Sequence, residues 1–324
     1  MRLEESDRDE RLRRMKLIAA PILLLVTVLL FTCSPGQTAG GYQWIRAVNP
    51  GVKTWPRWVM PIAGKDNTLR MIAEDVTWSS SDGINWTTIK NNAAQAVRPG
   101  ASQIFFNDKF WLMGGMNNNW AEFTNEIWFS DDSIHWTMVT DRAPWAARRN
   151  ALLIEFDNKL WLLGGAESSG KKDVTPTRFF SDVWQSSDGV EWKHVSSNMP
   201  TSDEQILVFQ NQIWVLGKNG AWTTSDGKTW RQGATGRPFS DRGSFGAAVF
   251  DGQMWIFGGM GAEKTTNEVW STRDGNTWQQ VERAPWFPRG AEYSTVFNGK
   301  LWIYGGKTGT TYEQADDVWF MTRN

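Results

Sequence analysis

From residue 42 to the C-terminus the chain is written in short apolar runs separated by turn residues, and no stretch beyond Cys33 keeps a helical period. Aligned on its Gly-Gly pairs, it resolves into copies of one unit. Phe110–Gly115 reads FWLMGG, Leu160–Gly165 LWLLGG, Met254–Gly259 MWIFGG and Leu301–Gly306 LWIYGG. Ile213–Lys218 (IWVLGK) and Leu69–Glu74 (LRMIAE) are eroded versions. An apolar run ending in a turn precedes five of these segments, at Ile104–Asn107, Leu152–Asp157, Ile206–Gln210, Ala247–Asp251 and Thr295–Asn298. Two tryptophans eight residues apart follow all but the last: Trp78/Trp86, Trp128/Trp136, Trp184/Trp192, Trp222/Trp230 and Trp270/Trp278. Asp-Gly stands between four of the pairs (Asp82-Gly83, Asp188-Gly189, Asp226-Gly227, Asp274-Gly275), and Asp132-Ser133 between the second. Asp-Gly predicts the positive φ angles of a tight hairpin. Each copy thus predicts four short strands, a to d. Strand a is the apolar run, b carries Trp-x-x-Gly-Gly, and c and d carry the spaced tryptophans.

Copies recur every 38 to 56 residues between strand c tryptophans, the period of a four-stranded propeller blade. The sixth copy ends at Asn324, after its strand c Trp319, and Gly41-Tyr42-Gln43-Trp44 repeats the missing Gly83-Ile84-Asn85-Trp86. An N-terminal strand is therefore expected to complete the last blade and hide two sheet edges. The expectation is all-β: a six-bladed β-propeller of four-stranded antiparallel blades over residues 42–324, with repeat tryptophans packed between blades.

The Gly-Gly after strand b, with an acidic residue two before the strand c Trp, resembles the Kelch repeat over roughly residues 42–324. The acidic positions stand in Asn-Glu-Ile-Trp128, Ser-Asp-Val-Trp184, Asn-Glu-Val-Trp270 and Asp-Asp-Val-Trp319. The version is similar to that of secreted and lipid-anchored bacterial Kelch proteins, within the superfamily of the galactose oxidase central domain. The Ser-x-Asp-Gly-x-x-Trp turns also resemble the sialidase Asp-box. They are one residue shorter between Asp and Gly, so no sialidase activity is implied.

Composition narrows the chemistry. The 34 Lys+Arg balance 35 Asp+Glu, which gives no electrostatic case for nucleic acid. The single cysteine, Cys33, excludes a disulfide framework, a thiolate zinc site and an Fe–S cluster. His135 and His194 are too few for the copper set that the resemblance to galactose oxidase brings to mind, so no metal or cofactor is expected. Nor is there a Walker loop, a His-Glu-x-x-His or a Ser-His-Asp arrangement. Leu17–Phe31 is an uncharged run behind Arg11, Arg13, Arg14 and Lys16, short for a bilayer span but fitting a signal h-region. Leu30-Phe31-Thr32-Cys33 resembles a lipobox. Residues 1–33 are therefore read as a lipoprotein signal with Cys33 lipidated, and 34–41 as a tether. This places the protein in a bacterial envelope, facing periplasm or cell surface. Simple secretion or an uncleaved anchor is the alternative, and Met15 offers a second start.

The resemblance implies a ligand face formed by the d-to-a and b-to-c loops. Sixteen residues before the first Gly of strand b stands an arginine in five copies: Arg57, Arg98, Arg148, Arg242 and Arg289; the fourth copy has Thr201. A ring of guanidinium groups would grip a carboxylate; alternatively, each bonds carbonyls of a neighbouring blade. Five tryptophans fall outside the repeat frame, and Trp120, Trp145 and Trp286 map to the same face as Trp55, with Trp58 entering strand a. Exposed, they would stack on a sugar or anchor a protein partner; otherwise they close gaps between blades. The loop Ala166–Phe180, with Lys171, Lys172 and Arg178, is the expected rim. The functional expectation is a lipid-anchored, non-catalytic binding module for a carbohydrate or an acidic protein segment. Its rival is a sialic-acid-type mutarotase or epimerase using Glu204 or Glu292 with the arginines.

Overall fold

The computed structural model describes residues 38–39, 41–47, 59–93, 96–117, 122–168, 178–200, 205–236, 238–239, 242–261, 264–281, 283–290, 293–309 and 313–324. The signal run, Cys33, Trp55, Arg57, Trp58, Trp120, Lys171, Lys172, Thr201, Glu204 and Glu292 lie outside them. The chain divides into two units, Met1–Cys33 and Ser34–Asn324. The described part of the second is all-β, built of antiparallel sheets compatible with a β-propeller.

Sheet 1 comprises Ile62–Ala63, Leu69–Ile72, Val76–Ser80 and Thr87–Lys90; sheet 2 comprises Ser102–Phe106, Lys109–Met113, Ile127–Ser130 and Thr137–Thr140. Sheet 3 comprises Leu152–Phe156, Lys159–Leu163, Val183–Ser186 and Lys193–Ser196; sheet 4 comprises Gln205–Phe209, Gln212–Gly217, Gly220–Thr224 and Arg231–Gln232. Sheet 5 comprises Gly246–Phe250, Gln253–Phe257, Val269–Thr272 and Gln279–Val281. Each runs a-b-c-d in chain order. Sheet 6 has Tyr293–Phe297, Lys300–Tyr304 and Val318–Arg323, and takes its fourth strand from Tyr42–Ala47, with Tyr42 opposite Arg323 and Ala47 opposite Val318. Thr38–Ala39 pairs outside Tyr42–Gln43, so the expected tether is partly strand.

The two kinds of tight turn work differently from the Asp-Gly expectation. The a–b turns are the ones with two positive φ angles, as at Asn107-Asp108, Asp157-Asn158 and Asn298-Gly299. In the c–d turns only the glycine is left-handed, and the aspartate acts through its carboxylate. Asp188 Oδ1 accepts N–H bonds from Val190 and Glu191 at 2.8 and 2.9 Å and the Ser186 hydroxyl at 2.9 Å, while Ser186 Oγ accepts the Gly189 N–H at 2.8 Å. The same pattern recurs at Asp82, Asp226 and Asp274.

The turn glycine has a second reason, which lies in the neighbouring sheet. Each strand b Trp donates its indole N–H to the carbonyl five residues earlier, Trp111 to Phe106 at 2.9 Å and likewise Trp161, Trp214, Trp255 and Trp302. That bond lays the ring against the next sheet. A Cβ on Gly189 would lie 2.5 Å from Trp111, on Gly227 2.6 Å from Trp161, on Gly275 2.1 Å from Trp214 and on Gly83 2.9 Å from Trp302. No side chain fits there. The exception explains itself: sheet 1 has Arg70 in place of the tryptophan, and the turn it would press upon, in sheet 2, is the one with Ser133 instead of glycine. Trp255 of sheet 5 meets Tyr42 of the N-terminal strand edge-on, 5.0 Å between centroids.

Among the described residues six apolar clusters lie between successive sheets. Phe110 and Leu112 meet Ile62 and Ile72; Trp111 meets Leu160; Trp161 meets Ile213; Trp214 meets Met254; Trp255 meets Leu301 and Trp44. The sixth joins Trp302 and Phe320 of sheet 6 to Leu69 and Met71 of sheet 1. Burying such side chains contributes about 1.5–3 kcal/mol each.

The indole–glycine contact is tested by a double-mutant cycle. Gly189→Ala is expected to cost about 3 kcal/mol from overpacking at a left-handed residue, and Trp111→Ala about 3–5 kcal/mol. The double variant should lose at least 1 kcal/mol less than the sum in urea unfolding. Additive losses would mean that indole and glycine do not act on one another.

Candidate functional site

The a–b and c–d turns lie at one end of every sheet; the b–c and d–a connections lie at the other, where the arginines fall. Their guanidinium groups are held by carboxylates. Arg148 reaches both oxygens of Asp182, at 2.6 and 2.8 Å, and also donates to the carbonyls of Gly164 (2.7 Å) and Ala146 (2.9 Å). Arg289 repeats this with Asp317, the Gly305 carbonyl (2.8 Å) and the Phe287 carbonyl (3.2 Å). Both side chains are 1% exposed. Arg242 donates to Glu268 and to the Gly258 carbonyl, and Arg98 to Glu126 at 2.9–3.1 Å. The same acids accept the strand c indoles: Trp128 on Glu126, Trp184 on Asp182, Trp270 on Glu268 and Trp319 on Asp317. In the Arg148, Arg242 and Arg289 copies, arginine, first glycine carbonyl, acid and strand c Trp form one buried network; Arg98, partly exposed, joins its acid and Trp. The fourth copy lacks arginine and acid together, with Thr201 and Gly220 in their places.

Burial alone would raise the Asp182 carboxyl, but the bonds from Arg148 and Trp184 outweigh it and hold it below the usual range. Asp317 is lowered in the same way, against burial, by Arg289 and Trp319. These four arginines are thereby committed inside the protein, and an open anion-gripping mouth is not what they form. Trp145 and Trp286, expected to be exposed, are each 3% exposed. Trp145 packs edge-on to Trp192 at 4.8 Å, and Trp286 edge-on to Trp44 at 4.2 Å. The preceding prolines fix the chain so that each indole enters the neighbouring sheet.

The Gly-Gly pair marks a connection that continues past the sheet. In sheets 2, 3, 5 and 6 the b–c connection goes on as a hairpin stem: Met116 bridges Phe123, Ala166–Glu167 pairs Arg178–Phe179, Met260 bridges Thr265, and Lys307–Thr308 pairs Glu313–Gln314. Sheets 1 and 4, the eroded copies, have short turns there, closed by Ala73 N–H to Val76 O and by Gly217 opposite Gly220. Stems also join in pairs. Arg148 N–H bonds Thr124 O beside the first stem, and Arg149 bridges Ala166 of the second. Thr266 bridges Arg289, and Arg289–Gly290 pairs Lys307–Thr308.

At both joins stands the same cassette, Arg142-Ala-Pro-Trp-Ala-Ala-Arg148 and Arg283-Ala-Pro-Trp-Phe-Pro-Arg289. Asn125 and Asn267 hold the two alike, donating to Ala143 and Trp145 carbonyls and to Ala284 and Trp286 carbonyls. The second half of the chain thus repeats the first, sheet 1 matching 4, 2 matching 5 and 3 matching 6, down to Glu126/Glu268 and Asp182/Asp317. The cassettes and the paired acids carry this half-chain repeat in the sequence; a search by single blades passes over it.

Two exposed phenyl rings stand at this end. Phe287, in the place of Ala146, is 79% exposed and Phe179 is 56% exposed, whereas no described tryptophan is exposed. Arg178 lies over the Phe180 ring, 4.8 Å from its centroid, with Arg148 over it at 4.0 Å. His135 pairs with Asp132 in a c–d turn and His194 stacks edge-on to Trp184. Among the described residues no group of three His, Cys, Asp or Glu is placed to hold a metal. No protein-family model matches the chain, and none of the curated proteins does.

Arg148→Ala should cost about 3–5 kcal/mol by leaving a buried carboxylate unpaired. Asp182 has a lowered pKa in the folded protein, so its contribution is present above about pH 4, the unfolded carboxyl value, and is lost as pH falls below it. Unfolding midpoints between pH 6 and 2 should therefore fall less steeply in Asp182→Asn than in the parent. Equal slopes would remove Asp182 from the acid response.

Proposed function

We propose that residues 42–324 form a closed six-bladed propeller of Kelch-type repeats, acting as a non-catalytic binding module through the end that bears the b–c and d–a connections. Closure is supported by the sixth apolar cluster, which joins sheet 6 to sheet 1, and by the pairing of Tyr42–Ala47 with Val318–Arg323. One observation carries the functional reading. Among the described residues the turn end is five near-copies of one self-satisfied turn, while the four hairpin stems and the two well-exposed phenylalanines lie at the other end. The proposed ligand is a carbohydrate or an acidic protein segment. The mutarotase reading needs arginines open to an acidic sugar, and the four described ones are held by carboxylates. Lipidation of Cys33 would hold the module at a bacterial envelope.

Closure is tested by removing Tyr42–Ala47. The Val318–Arg323 strand would lose its outer partner and Trp255 its Tyr42, so a melting point lower by ten degrees or more, or aggregation, is expected. A melting point within a degree or two of the parent would overturn closure. Binding is tested with the full chain in detergent on glycan and peptide arrays. Retention of ligand in a variant with the Lys307–Gln314 connection replaced by a two-residue turn would move the site elsewhere. Cys33→Ala should release the protein from the membrane fraction; continued membrane retention would make the segment an anchor.

A further inference from the structure

The N-terminal strands and the second Arg-Ala-Pro-Trp cassette meet at one corner of the protein. Tyr42–Ala47 runs from the turn end of sheet 6 toward the end that bears the connections, since Tyr42 stands opposite Arg323 and Ala47 opposite Val318. Thr38–Ala39 is antiparallel to it, with Thr38 opposite Gln43 and Ala39 opposite Tyr42. From Ala39 back to Thr38 the chain therefore points to the connection end again, along the outer edge of sheet 6. Trp44, next to Gln43, meets Trp286 edge-on at 4.2 Å, and Trp286 also meets Trp319, 6.0 Å between centroids. Phe287 is the following residue and is 79% exposed. We propose that Phe287 enters the bilayer in which the chain's own N-terminus is anchored, as a second contact that orients the protein on the membrane. The inference rests on the membrane anchoring proposed above.

Chain length chooses the occupant. Cys33 precedes Thr38 by five residues, so an acyl group on Cys33 keeps Thr38 within about 18 Å of the bilayer surface. With Leu17–Phe31 as an uncleaved anchor, seven residues separate Phe31 from Thr38 and the limit is about 25 Å. Thr38 lies one strand spacing, about 4.8 Å, outside Gln43. Either anchor thus keeps the corner that carries Phe287 close to lipid. The two cassettes supply the comparison. The same asparagine and arginine bonds close both, around Ala146 in the first and Phe287 in the second. The fold does not need the phenyl ring, and it is the cassette beside the anchored strand that has it. Pro285 and Pro288 are exposed with it, and residues 284–288 carry no charged side chain. Taking such an apolar tip out of water into the membrane interface is favourable. A tether limits distance and leaves orientation free; a second contact at the same corner fixes it. Phe179 and the hairpin stems remain for the ligand.

The test uses the full chain, purified in detergent and reconstituted into vesicles of phosphatidylcholine, which carries no net charge. The photoreactive p-benzoylphenylalanine replaces Phe287 in one preparation and Ala146 in another. Ala146 is exposed in the matching loop, away from the anchored strand. On irradiation, mass spectrometry should find phospholipid attached at position 287 at least about ten times as often as at position 146. Both positions are exposed, so melting points should stay at the parent value; a drop at position 287 would make the phenyl ring structural and overturn the proposal. Equal lipid attachment at the two positions, none at 287, or a crosslink from 287 to a second copy of the chain would overturn it as well. The same spectra read the N-terminus. An acyl group on Cys33, or a retained Leu17–Phe31 run, without lipid at position 287 overturns the contact and leaves the anchoring in place. A mature chain with neither anchor overturns both.

Discussion

An indole of one sheet presses against the turn glycine of the next, and this contact limits how far apart the sheets stand. The strand b tryptophan is oriented by its own sheet, through a bond to the carbonyl five residues back. Its ring then leaves no room for a Cβ on the neighbouring turn. The turn must be glycine, and its backbone is held in place by the aspartate and hydroxyl that cage it. A single aromatic position thereby dictates turn chemistry in a different copy of the repeat. The Arg70 and Ser133 pair shows the dependence from the other side: where the indole is absent, the glycine is released.

The opposite end is organised by charge rather than by shape. Each buried arginine satisfies a glycine carbonyl and a carboxylate, and the carboxylate in turn satisfies a strand c indole. In the Arg148 and Arg289 copies the guanidinium Nε as well as the fork finds a partner, which makes burial this deep tolerable. The arginine backbone also reaches the previous sheet, where Arg148 O accepts the Gly115 N–H and Arg289 O the Gly259 N–H. The network is a staple for sheets whose b–c connection runs long. Sheet 4 turns back at once and has dispensed with arginine, acid and second glycine together. Phe287, in the place of Ala146, stands outside this network and is 79% exposed.

The strands, their order and their number per copy were legible in the sequence, because alternation and turn residues are local properties read over a few positions. The joining of Tyr42–Ala47 to the last copy was legible too, because the missing half-turn reappears as Gly41-Tyr42-Gln43-Trp44. The roles of individual residues were not. Whether Arg148 faces a ligand or Asp182, and whether Trp145 is open or packed on Trp192, depends on groups that sit tens of residues away and arrive only on folding. Asp-Gly spelled a turn but not its mechanism, since the need for glycine at position 189 comes from Trp111 in another sheet. The joining of neighbouring stems in pairs was decided by tertiary structure. It rests on backbone hydrogen bonds between connections of different copies; the Arg-Ala-Pro-Trp cassettes mark both joins in the sequence, but which backbone groups pair there is set only on folding.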